Sequence, residues 1–189
     1  MATTTTVDPI QLDYDEVNNA LSEIIAEAGD TKITGGACVY FKYDDSQHSF
    51  QITAEPSCVI GQVFHKLGID FARLSEASHA YGETGSWSSD SEINEKKIRY
   101  FVAERVIECD VRTRVLVTVA QEQQDDGVSW QWSVERAREA VDRLPSFDGR
   151  SLNWLRGMIE QRDMTDHYGL ALLEAYERAV RADERGESS

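Results

Sequence analysis

The sequence predicts an α+β fold in which helices dominate: a small β-hairpin packed by several helices, plus a C-terminal helical pair. Three observations carry this expectation. Apolar residues recur at helical spacing along much of the 189-residue chain. One stretch, "ACVYFKYDDSQHSFQITA", alternates as a hairpin does. The apolar share of 41% sustains a core without staples, and the three cysteines are odd in number and far apart.

Residues 1–12, a threonine run followed by a proline, read as disordered. Residues 13–148 read as the α+β core domain, 149–185 as a C-terminal helical extension and 186–189 as a disordered tail. The first helix begins near Asp13, with Val17, Leu21, Ile24, Ile25 and Ala28 on one face and Gly29 and Asp30 at its end. Its acidic first turn suits the positive end of the helix dipole. In the hairpin, Val39, Phe41 and Tyr43 alternate with Cys38, Tyr40 and Lys42, and a "DDSQ" turn leads to Phe50 and Ile52. The expected pairing sets 41 against 50 and 39 against 52, with the large side chains on one face. That face needs a cover.

"PSCVIGQVFHKLGI" supplies it. Pro56 and Ser57 read as a helix start with Ser57 as N-cap, Val59, Ile60, Val63, Phe64 and Leu67 as an apolar stripe, and Gly68 as the stop. A short helix follows, with Phe71 and Leu74 inward. "HAYGETGSWSSDSE" then reads as a flexible loop holding Trp87. From 93 to 124 the expectation is helix, with Ile98, Phe101, Val102, Val106 and Cys109 at helical spacing. "VRTRVLVTVA" also alternates as a strand would, but the run into "QEQQ" and the stop at "DDG" favour helix. A further helix starts at Ser129 and ends near Leu144, Pro145 and Gly149. Helices over 151–162 and 166–185 form the expected C-terminal pair, with Asp166 as an N-cap.

The charge is uneven. Of 34 acids against 19 bases, seven acids and no Lys or Arg fall in residues 1–30. A net charge of −15 repels nucleic acid and anionic membrane. Residues 93–124 are near neutral: Lys96, Lys97, Arg99, Arg105, Arg112 and Arg114 interleave with Glu95, Glu104 and Glu108, which reads as an ion-paired face. No run is long and apolar enough to span a membrane, and nothing at the N-terminus resembles a signal peptide. Separated cysteines suit reduced thiols and a cytoplasmic location.

Cys58 and His65 invite the reading of nucleophile and base. Seven residues apart on one helix, their backbones are separated by about 10.5 Å along the axis, which excludes a dyad within that helix. No ligand pair of zinc spacing exists among Cys38, Cys58, Cys109, His48, His65, His79 and His167. Gly61 makes a small-residue patch with Cys58 that lets a neighbouring element approach closely. Phosphate-loop, dinucleotide and nucleophile-elbow motifs are absent. The sequence therefore points to no catalytic residue, no cofactor and no metal.

"PSCVIGQVFHKLGI" and "AQEQQDDGVSWQWSVERA" together resemble an uncharacterised family of small proteins from actinobacteria and their phages. That family shares a P-x-C-φ-φ-G-x-φ-φ-x-x-L-G-φ helix (φ apolar) and a Q-x-x-Q-D-x-G-x-x-W segment, here Gln121, Gln124, Asp125, Gly127 and Trp130. The resemblance covers roughly residues 15–143 and implies an origin, with no activity attached. The function expected is that of a non-enzymatic acidic accessory factor that binds a host protein of basic character, as a regulator or nucleic-acid mimic. A virion or assembly component oligomerising through its C-terminal helices is the alternative. A small enzyme built around Cys58 and a histidine from elsewhere is another.

Overall fold

A computed structural model of the chain describes residues 7–33, 39–44, 51–81 and 89–142. In chain order these hold β1 (Ile10–Leu12), α1 (Tyr14–Ala28), β2 (Phe41–Asp44), β3 (Gln51–Pro56), α2 (Val59–Lys66), α3 (Phe71–Tyr81), α4 (Asp90–Glu95), α5 (Ile98–Ala103), β4 (Ile107–Cys109), α6 (Val111–Asp125) and α7 (Trp130–Asp142). The fold is α+β and mainly helical, with an antiparallel hairpin β2–β3 and a parallel pair β1–β4. The expected C-terminal pair lies outside the described residues.

α1 starts where Asp13 caps it, its carboxylate accepting the amides of Asp15 and Glu16 at 2.8 and 3.2 Å. Just before it, the segment expected to be disordered supplies β1. Ile10 and Leu12 are buried and pair with Ile107 and Cys109. The alternation of Ile10, Gln11 and Leu12 is too short a signal to mark a strand, and its partner lies about a hundred residues away. β4 itself replaces helix at Cys109, and Val106 stands in the bend just before the strand. The chain leaves α5 through Arg105 at φ +62° and enters β4, so the end of α4, then α5, β4 and α6, stand where one long helix was expected over 93–124.

In the hairpin, Tyr43 faces Ile52 and Asp44 faces Gln51, with a bulge between Phe41 and Tyr43. Ile52 is thus opposite Tyr43 rather than Val39. The slip is even, so each side chain keeps its face. Tyr40, expected on the outer face, is instead fully buried. Its ring lies 5.2 Å from Phe64 and 5.8 Å from Phe101, while Phe41 meets Phe71 edge-on at 6.1 Å. Both faces of the hairpin base are covered, by α2 and α5 on one side and α3 on the other.

α2 begins one residue later than expected: Cys58, not Ser57, is its N-cap, and Pro56 ends β3. The Ser57 amide goes to the Tyr40 carbonyl at 2.8 Å. At the other end Gly68, φ +72°, donates to His65 O and Ile69 donates to Phe64 O, the two bonds of a Schellman stop. α4 occupies part of the expected loop, because Ser89 caps it by accepting the Glu92 amide at 3.4 Å. Ser-Asp-Ser-Glu there is a capping-box sequence. α6 is helix, as expected. It packs on α1, α2, α5 and α7 and buries every residue from Thr113 to Thr118, so its strand-like alternation has no exposed face to serve.

Candidate functional site

Cys58 is fully buried, and its Sγ accepts the Gly61 amide at 3.2 Å. His65 is exposed in the last turn of the same helix. The helix thus keeps thiol and imidazole apart, and the thiol is sealed beneath the hairpin. Gly61 explains the seal: a Cβ there would stand 2.0 Å from the Tyr40 carbonyl oxygen. His79 is exposed. Cys38, His48, Trp87, Asp166 and His167 lie outside the described residues. Among the described residues no group of three or more His, Cys, Asp or Glu is placed to hold a metal ion.

A layer of buried amides joins the elements around Tyr40. Gln121 and Gln124 lie one turn apart on α6, and each caps a different helix. Gln121 Oε1 accepts the Ile98 amide at the start of α5, at 2.7 Å, and its Nε2 donates to the Tyr40 hydroxyl at 3.1 Å. Gln124 Oε1 accepts the Val59 amide at the start of α2, at 2.6 Å. Asn94 pairs with Phe41 as a strand would, accepting its amide at 2.9 Å and donating to its carbonyl at 2.8 Å. Beyond α6, Gly127 takes φ +80°, the Gln131 amide donates to Gly29 O at the C-cap of α1, and the Trp130 amide donates to Thr31 O just beyond it, both at 2.9 Å.

The surface separates its charges. α1 exposes Asp15, Glu16, Glu23 and Glu27, with Asp30 just beyond it. Among the described residues only Lys66 forms ion pairs with these acids, to Glu23 at 2.9 Å and Glu27 at 3.2 Å. Those hydrogen bonds raise the Lys66 pKa above its ordinary value. The basic run is tied down, as the interleaved charges suggest. Lys96 pairs with Glu104, Lys97 with Asp125, Arg99 with Glu122 and Arg105 with Glu108. Arg112 stacks over the Tyr14 ring at 3.8 Å, and Arg114 is only 8% exposed. Trp132, 58% exposed on α7, is the most open large apolar side chain of the described residues.

A cleft of about 600 Å³ opens beside β4, lined by Val102, Ala103, Arg105, Ile107, Glu108, Cys109 and Arg114. Nothing in the sequence singles it out, because its walls come from the helix break at Arg105 that periodicity does not reveal. Compared with known protein families, curated proteins and solved structures, the chain matches none. No helix among the described residues is long and apolar enough to cross a membrane.

Proposed function

We propose that this is a non-enzymatic acidic interaction protein that docks a basic protein partner, in the manner of a phage or actinobacterial accessory factor. The observation that carries the reading is the exposed acidic face of α1, on which Lys66 is the cation paired among the described residues. Lys96, Lys97, Arg99 and Arg105 pair with carboxylates of the same region or of α6, so these bases do not neutralise the acids of α1. Charge of this kind steers association and selects partners of opposite sign. A sealed Cys58 and the absence of catalytic motifs further favour binding over chemistry.

Affinity capture from a host extract, with mass-spectrometric identification of what is retained, tests the proposal. A basic protein should be retained at low salt and lost as salt rises. The neutralised variant Asp15→Asn/Glu16→Gln/Glu23→Gln/Glu27→Gln should fold and fail to retain it. Equal retention by that variant, or retention insensitive to salt, would overturn the reading.

A further inference from the structure

Three helices among the described residues end on a residue in the left-handed conformation. Two use glycine: Gly68 after α2 at φ +72° and Gly127 after α6 at φ +80°. After α5 the residue is Arg105, at φ +62°. A side chain at such a position costs backbone energy that glycine avoids. Non-glycine residues held this way cluster at ligand sites. The Arg105 amide closes the last turn of α5 on Val102 O at 3.2 Å, and its side chain, 79% exposed, lines the 600 Å³ cleft beside β4.

We propose that this cleft binds a small organic anion through a carboxylate or phosphate group, with Arg105 as its anchor. The volume falls within the range of small-molecule sites, roughly 300–1,000 Å³. A guanidinium offers two parallel donors to either kind of oxyanion. Val102 and Ile107, both buried, give the wall an apolar part. Arg114 has contacts of its own and adds its positive charge to the wall without being released from them.

Glu108 is the internal competitor. Its Oε1 accepts from Arg105 at 3.0 Å, while its Oε2 accepts from Gln11 Nε2 at 3.0 Å. When Arg105 turns to a ligand, Glu108 keeps Gln11 and remains partly exposed to water. The exchange leaves no carboxylate stranded. The protein's overall negative charge opposes long-range attraction of anions, so the affinity depends on this local arrangement and falls with salt.

The test is a titration of the full chain at low salt with inorganic phosphate and, separately, succinate, following the amide resonances of residues 105–109. Saturable shifts with either anion are expected, and the anion that acts names the group recognised. Arg105→Gly should raise Tm by about 2 °C or more, since it relieves the left-handed backbone. The same variant should weaken anion binding about tenfold or more, through loss of a charge-assisted pair. Glu108→Gln frees Arg105 and should tighten binding about threefold, which a purely structural ion pair would not do. The proposal fails if neither anion shifts these resonances in the wild type or in Glu108→Gln, or if Arg105→Gly titrates like the wild type.

Discussion

Gly61→Ala sets two rules of protein stability against each other. Judged by helix propensity, replacing a glycine inside α2 should stabilise by about 1 kcal/mol. The packing says the opposite. The new Cβ would lie 2.0 Å from Tyr40 O, 2.9 Å from Tyr40 C and 3.1 Å from Tyr40 Cα, so backbone, not a pliable side chain, is in the way. Relief requires the hairpin base to retreat by about 1 Å to reach the 3.0 Å below which Cβ contacts essentially never occur. Tyr40 cannot retreat cheaply. Its carbonyl accepts the Ser57 amide, its amide donates to Asn94 O, its hydroxyl accepts from Gln121, and its ring sits between Phe64 and Phe101. Overpacking of this kind costs about 1–3 kcal/mol, and a strained or lost buried hydrogen bond adds about 1–3 kcal/mol. Net of the propensity gain of about 1 kcal/mol, Gly61→Ala should destabilise by about 1–5 kcal/mol, read as a lower midpoint in urea unfolding at unchanged slope. Gly68→Ala is the control: nothing lies within 4 Å of its Cβ, so only backbone strain remains, about 1 kcal/mol. A Gly61→Ala protein as stable as the wild type, or no worse than Gly68→Ala, would refute the close-approach account.

Two further outcomes follow from the same geometry. Gln124→Ala leaves the Val59 amide without its acceptor and should cost about 1–3 kcal/mol, and Gln121→Ala, which strips both Ile98 N–H and the Tyr40 hydroxyl, at least as much; urea midpoints of the two single variants check this. Glu108 has its pKa lowered, first by the Gln11 hydrogen bond and then by Arg105. Its contribution is therefore present above the ordinary glutamate value of 4.5 and is lost as pH falls through the lower folded value. Since the carboxylate is partly exposed to water, the effect is small, and Glu108→Gln should only flatten the fall of Tm as pH drops below the ordinary glutamate value of 4.5.

Legibility in the sequence follows the range of the signal. α1, α2 and α7 are readable because apolar periodicity and end signals lie within each segment, the hairpin because its alternation does, and α6 through its stop near Asp125 although its start is not. Gly61 is legible as a point of close approach, although only the structure shows that the approaching group is a backbone carbonyl. β1 and β4 are not readable, since each is three residues long and exists only as the partner of the other. The hairpin register slips because a bulge between Phe41 and Tyr43 has no signature in residue type. α4 hides in a serine-rich stretch, though the Ser89–Glu92 capping box is there to be found. Arg105 shows the hardest case. Its left-handed backbone breaks a helix where no glycine or proline marks the break, and the cleft it lines goes unannounced for the same reason.

The glutamine-rich segment clarifies where function can reside. Gln121, Gln124, Asp125, Gly127 and Trp130 look, as a string, like a site. In the fold each has a structural role, although the buried Gln124 Nε2 and Trp130 Nε1 have no hydrogen-bond partner among the described residues. The two glutamines cap helices, Asp125 pairs with Lys97, Gly127 makes a left-handed stop, and the Trp130 amide donates to Thr31 O beneath a buried ring. Asn94 plays a similar part on the hairpin, standing in for a strand the sheet lacks. Short helices such as α2 and α5 are marginal alone, and supplying their first acceptors from one central helix ties their formation to tertiary packing. Buried polar groups so employed are not available to a ligand. At the surface, the acidic face of α1 and the arginine-lined cleft beside β4 stand open. A search for this protein's partners therefore begins at those two places and not at Cys58.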